Sequence, residues 1–234
     1  MNARLFWLTQ TLAEVPENDD WLSSGETARL SRMRFPKRRD DWRLGRWTAK
    51  KAVCSCCPED VPGVTSLEIR SAEDGAPEVF WSGRLLNVSI SISHSQGRGF
   101  CVVCPGSLAL GCDLEFIEPR EEQFAEDYFT PGERDFLIRV PDSERVPVLN
   151  LLWSAKETML KALRQGLRRD TRSVAVSAGG WDCADGWRRW MGRCLESRLV
   201  FHGWWRREGA FVYTMAADRP TAVPEEAAGA AIAI

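Results

Sequence analysis

Residues 86–115 read LNVSISISHSQGRGFCVVCPGSLALGCDLE, and this run decides the class of fold. Leu86, Val88, Ile90 and Ile92 fall on one face of an extended chain, and Asn87, Ser89, Ser91 and Ser93 on the other. That two-residue period predicts a half-buried strand. Gln96-Gly97-Arg98-Gly99 supplies a turn and Phe100 to Cys104 a second strand. Pro105-Gly106 then turns the chain into a third strand, Leu108 to Glu115.

Working outward, residues 25–54 read as a helical region broken at Phe35-Pro36, since proline disfavours helix at the residue before it. After Pro36, Arg39, Arg43, Arg46 and Lys50 recur at helical spacing and line one face. Thr130-Pro131-Gly132-Glu133 has the form of a capping box and opens a short helix to about Arg139. Residues 143–165 form a longer helix that Gly166 is expected to close. Ser173 to Ser177, Leu195 to His202 and Ala210 to Ala216 read as strands of an antiparallel sheet. Helices and antiparallel strands interleave, so the class is α+β. The tail, Thr221 to Ile234, is expected to fray.

A chain of 234 residues, 44% hydrophobic and 27% charged, is an ordinary globular composition. No apolar run of about 18 residues offers a membrane span. Met1 to Leu12 lacks the basic start and apolar stretch of a signal peptide, so a cytoplasmic location is expected. There the eight cysteines stay reduced. Cys101 and Cys104 stand three apart on a strand, point to opposite faces and cannot share a metal. Net charge is −2, yet Arg29 to Lys51 carries ten basic residues and two acids, a local +8 against −10 elsewhere. Such segregation suits a polyanionic ligand.

Three groups carry candidate chemistry. On the strand Leu110-Gly111-Cys112-Asp113-Leu114-Glu115, the carboxylates of Asp113 and Glu115 share one face. Such a pair repels unless a cation intervenes, and magnesium is the hard divalent ion that carboxylates and phosphates share. In the helix over Leu149 to Leu163, Lys156 interrupts an apolar stripe, which is costly unless it meets an anion or snorkels. Trp153, Glu157 and Lys161 follow one another along the shoulder of that stripe. Ser93-His94-Ser95, at the strand end, caps a turn or presents hydroxyl and imidazole to a phosphate. No nucleophile elbow, Walker loop or dinucleotide-binding turn is present.

Taken in order, these elements resemble the surfactin-synthetase-activating (Sfp) type of 4'-phosphopantetheinyl transferase. The matching residues are Arg34-Phe35 with Arg43; Gly75-x-Pro77; Ser93-His94-Ser95; Gly111-x-Asp113-x-Glu115; Phe129 with Glu133; and Trp153-x-x-Lys156-Glu157-x-x-x-Lys161. The resemblance implies two similar α+β halves related by a pseudo-twofold, residues 1–108 and 109–220, with coenzyme A in a cleft between them. It implies transfer of the phosphopantetheine arm to a serine of an apo acyl or peptidyl carrier protein, by a monomer, with magnesium or manganese and without nucleic acid or membrane. Asp113, Glu115 and Glu157 would hold the metal with the pyrophosphate. Ser93, His94 and Lys161 would meet phosphates, and Arg43, Arg46 and Lys37 the ribose 3'-phosphate, while Lys156 would support the phosphates or orient the carboxylates.

The serine hydroxyl needs a base, which is Glu157 or a metal-bound hydroxide, while Lys161 would stabilise or protonate the leaving phosphate. Ala76 stands where the family often has lysine, and Ser91 where asparagine is common, which bears on coenzyme A affinity. Two other readings compete. One is a coenzyme A or acyl-coenzyme A binding module of the same fold, which would not need three carboxylates. The other is a nucleic-acid-binding protein using residues 29–51, where basic residues alternate with Phe35, Trp42 and Trp47.

Overall fold

The computed structural model describes residues 2–57, 63–165, 168–177 and 186–227. They fall into two units, Arg4–Leu108 with the segment from Pro224 onward, and Ala109–Val223 with the first three residues. Both mix helices with antiparallel sheet, so the chain is α+β.

In the first unit the elements are Phe6–Thr11 (β1), Ser24–Ser31 (α1), Pro36–Cys56 (α2), Leu67–Ser71 (β2), Pro77–Trp81 (β3), Arg84–Leu85 (β4), Val88–Ser95 (β5) and Arg98–Pro105 (β6). β1, β6 and β5 are consecutive antiparallel neighbours, and Glu225–Glu226 adds a short parallel strand outside β1. Thr221 bridges Ala3, so the residues from Thr221 to Ala227, expected to fray, instead return to the fold. Residues 228–234 lie outside the described ones. β5 and β6 join through Gln96 and Gly97, both with positive φ, the pair of left-handed residues that a two-residue hairpin turn requires. β5 was expected to be half-buried, but Ser91 and Ser93 are as buried as Ile90. Its apolar face packs under α2, where Ile92 lies against Gly45, and its serine face is covered as well. The helix break at Phe35-Pro36 is in place, with Pro36 opening α2.

The second unit contains Leu110–Phe116 (β7), Phe124–Tyr128 (α3), Pro131–Arg139 (α4), Asp142–Ala162 (α5), Val174–Ser177 (β8), Arg188–Cys194 (β9), Val200–Glu208 (β10) and Phe211–Ala217 (β11). One sheet of order β7-β11-β10-β9-β8 is crossed by α5. Leu151, Leu152, Ala155, Met159 and Leu160 of α5 enter the same core as Val174, Trp190, Phe201 and Val212. α5 ends at Ala162, three residues earlier than expected. Arg164 takes a left-handed φ of 58°, and the N–H groups of Arg164 and Gln165 bond back to Lys161 and Leu160. That is a Schellman closure on an arginine. Gly166, the expected stop, lies outside the described residues. Leu195 to His202 is not one strand either: β9 and β10 flank a turn there, with Arg198 at φ 59°.

Both units fasten their first long-range contact alike. Ser23 caps α1, Glu26 closes the capping box, and its carboxylate also accepts from the Ile69 N–H, 43 residues on, at 3.1 Å. Lys50 Nζ lies 2.7 Å from the same group. In the second unit Thr130 caps α4, Glu133 closes the box and accepts from the Val176 N–H, again 43 residues on, at 2.8 Å.

Candidate active site

Gly111 explains how the carboxylates of β7 meet α5. A Cβ at this position would sit 1.9 Å from the Thr158 carbonyl oxygen and 2.9 Å from the Ala162 nitrogen, so the strand backbone lies directly against the helix backbone. Three hydroxyls fix the approach beside it. Thr214 of β11, paired in register with Asp113, is 2.8 Å from Ser154 Oγ and 2.6 Å from Thr158 Oγ1.

With the two elements locked, Asp113 and Glu115 face α5, and α5 answers each of them. Lys161 Nζ donates to Asp113 Oδ1 at 2.7 Å and to the Cys112 carbonyl at 3.1 Å. Trp153 Nε1 donates to Glu115 Oε1 at 3.0 Å. Trp153, Glu157 and Lys161 are four residues apart, about 6 Å of rise per step, so Glu157 stands between the two contacts along the helix. Its Oε1 is buried without a hydrogen-bond partner.

The electrostatics follow from this crowding. Burial, and after it the Asp113 charge, pushes Glu157 up to about 7. The same two causes push Glu115 up to about 7, against the opposing charge of Arg120. Burial alone would depress the Lys161 ammonium, but Asp113 beside it holds it above the ordinary lysine value. A divalent cation is the partner that such a set calls for, and all its donors are hard oxygens. Among the described residues, no three His, Cys, Asp or Glu side chains already form a closed ligand set. Phosphate and water would thus be needed beside the carboxylates to complete the shell, as magnesium ordinarily binds. The cysteines Cys54, Cys101, Cys104 and Cys112 are buried thiols outside any disulfide.

Lys156 was expected to support phosphates of the ligand or to orient the carboxylates. Its side chain has no exposure, and its ammonium reaches Glu133 Oε2 at 2.8 Å and the carbonyls of Thr171 and Val174 at 3.0 and 2.7 Å. Three donors meet three acceptors, which leaves none for a phosphate. The snorkelling alternative fails too, since the interrupted apolar stripe is answered by the buried capping-box glutamate.

The remaining expected site residues belong to the first unit. Arg43 donates to Asp19 Oδ1 at 2.8 Å and to the carbonyls of Pro16, Glu17 and Asn18, clamping the segment after β1. Arg46 is buried, stacks over Trp42 and lies 3.9 Å from Glu26, and burial lowers it to about 10. The basic face of α2 is therefore largely turned inward, and only the start of that helix, with Lys37 and Arg38, stays exposed. β5 runs on to Ser95, so Ser93 and His94 are successive strand positions on opposite faces, Ser93 buried and His94 exposed.

Two contributors were not foreseen. Arg120 donates to Glu115 and to Asn150, and neither Arg120 nor Asn150 sits in a periodic or motif position that sequence reading tests. An aromatic group of Phe124, Tyr128 and Trp153, with ring centroids about 5 Å apart, backs the same glutamate.

The family comparison falls on these elements. The family profile described as the 4'-phosphopantetheinyl transferase superfamily matches residues 109–185, from the start of β7 past α5. Over 168 residues the chain is 30% identical to the 4'-phosphopantetheinyl transferase HetI of Nostoc sp., covering 69% of this chain and 68% of that one.

Proposed function

The chain belongs to the 4'-phosphopantetheinyl transferase superfamily and is an enzyme of that class, and from this premise we propose that it transfers the phosphopantetheine arm of coenzyme A to a serine of an apo acyl or peptidyl carrier protein, releasing 3',5'-ADP. The observation that carries the reading is Glu157: a buried carboxylate with an unpartnered oxygen and a proton affinity raised to about 7, between Asp113 with its lysine and Glu115 with its tryptophan.

Asp113, Glu115 and Glu157 would hold magnesium, or manganese, which when bound supplies charge neutralisation of the pyrophosphate and Lewis acidity. Glu157 takes the proton of the carrier serine as its oxygen forms the bond to the β-phosphorus of coenzyme A. The bond from that phosphorus to the bridging oxygen breaks, and 3',5'-ADP leaves with the electron pair. Lys161, held as a cation by Asp113, faces the charge that develops on the leaving phosphate. Ser93, His94 and Lys37 remain the candidates for the other phosphates. Arg43 and Arg46 stay with them only through the family resemblance, because each already has partners of its own. The arrangement of two similar halves with coenzyme A held between them belongs to the same proposal.

The test is the intact mass of a generic apo carrier protein after incubation with the chain, coenzyme A and magnesium, with an EDTA control. A gain of one arm that disappears with EDTA is expected. No gain across fatty acid, polyketide and nonribosomal peptide carriers, with coenzyme A still bound, would make the chain a binding module.

A further inference from the structure

Arg120 follows β7 in an acidic stretch with Glu118, Glu121 and Glu122. A lone arginine there would ordinarily make a solvated ion pair of small value. Its guanidinium is placed otherwise. Nη2 donates to Glu115 Oε2 at 2.9 Å, Nε donates to Asn150 Oδ1 at 3.2 Å, and Nη1 lies 3.3 Å from Glu118 Oε1. The plane of the group lies over Phe124, 5.4 Å from the ring centroid.

Asn150 sets this orientation. It is fully buried in α5, and its amide nitrogen donates to the carbonyls of Glu118 at 2.9 Å and Val146 at 2.8 Å. With both amide hydrogens engaged, the side-chain oxygen can only face Arg120. A fully buried amide is costly unless its bonds are made, and here they are made to the strand-following loop, to the helix and to the arginine. Glu115 is consequently held from two sides, by the Trp153 indole on Oε1 and by Arg120 on Oε2. Each oxygen keeps a further lone pair, which is the condition for a carboxylate to accept a cation without losing its orientation.

We propose that Arg120, itself oriented by Asn150, is a positioning residue that fixes Glu115 for a divalent cation. The inference rests on the reading of Glu115 as a cation ligand. Arg120 touches neither coenzyme A nor the reacting atoms in this assignment; it acts through Glu115. The opposite role, a built-in cation that competes with the metal, uses the same contact and predicts the reverse effect. Removing a support loosens metal binding, whereas removing a competitor tightens it.

The experiment is Mn2+ binding to the full chain without coenzyme A, followed by the spin-resonance signal of the free ion, for wild type, Arg120→Ala, Arg120→Lys and Asp113→Ala. Arg120 is about a fifth exposed, so its loss is expected to leave the fold intact, and circular dichroism checks this. The expected result is a Kd for Mn2+ raised about 10- to 100-fold in Arg120→Ala. Arg120→Lys should recover only part of the affinity, because an ammonium cannot span Glu115 and Asn150 as the planar fork does. Transfer by Arg120→Ala should recover at saturating Mn2+, with the KM for coenzyme A little changed. An unchanged or lowered Kd in Arg120→Ala overturns the proposal. Wild type binding Mn2+ no better than Asp113→Ala overturns the carboxylate site itself, and the positioning role with it.

Discussion

The Nζ of Lys156 lies 2.8 Å from Oε2 of Glu133, and neither side chain has more than 3% exposure. The same Glu133 closes the capping box of α4 and accepts from the Val176 N–H, so one carboxylate ties a helix start, the middle of α5 and an edge strand. Breaking such a pair leaves a buried charge without its partner. Lys156→Met or Glu133→Gln should each cost about 3–5 kcal/mol of stability, and the double variant less than the sum. Urea unfolding of the three variants checks this. Unchanged midpoints would remove the structural role given to Lys156.

Glu157 is predicted to matter for turnover and not for folding. Glu157→Gln keeps the shape of the side chain and removes the base, so transfer to an apo carrier should fall about a hundred- to ten-thousand-fold. The metal-free variant should be at least as stable as wild type, since a crowded buried carboxylate has gone. Full activity in Glu157→Gln would reassign the base.

Much of this was legible in the residues. The capping box Thr130 to Glu133, the break at Phe35-Pro36 and the hairpin at Gln96-Gly97 are local signals that the fold obeys. Asp113, Glu115, Glu157 and Lys161 could be singled out because each offends a simple pattern: acids one pleat apart, and charges beside an apolar stripe. β1, β2, β3 and β9 were not read, and β9 shows why. Its inward Trp190, Gly192 and Cys194 alternate with Arg189, Met191 and Arg193, so an arginine-rich surface obscures a strand period. The anion that Lys156 meets could not be named because Glu133 is 23 positions earlier, and pairing at that distance is a tertiary fact. Arg120 and Asn150 were missed for the same reason.

Metal-free protein should lose stability as pH rises from about 4.5 to about 7. Glu115 and Glu157 are both raised to about 7, burial first and Asp113 second, from an ordinary value of 4.5. The folded state then binds more protons than the unfolded state across that window, so stability falls with increasing pH. Thermal unfolding in EDTA at pH 5 and pH 7.5 measures the slope. Glu157→Gln should flatten it, and a divalent cation should restore stability at the upper end by binding the folded state. A rise in stability across the window in EDTA would mean the carboxylates are not crowded.

Gly111 provides the sharpest steric test of how β7 and α5 hold the site. Alanine at this position needs no unusual backbone angle, so any effect must come from the methyl group. That carbon would sit 1.9 Å from the Thr158 carbonyl oxygen, which is helix backbone and cannot rotate aside as a side chain would. The helix must move by more than an ångström, and overpacking of this kind costs about 1–3 kcal/mol or more. Because Lys161 and Trp153 ride on the same helix, their bonds to Asp113 and Glu115 should loosen together. The expected outcome for Gly111→Ala is a lower unfolding midpoint together with a raised Mn2+ requirement for transfer. Lower stability with an unchanged Mn2+ requirement would show that the carboxylates keep their places when the helix shifts, and would separate the strand–helix contact from the chemistry.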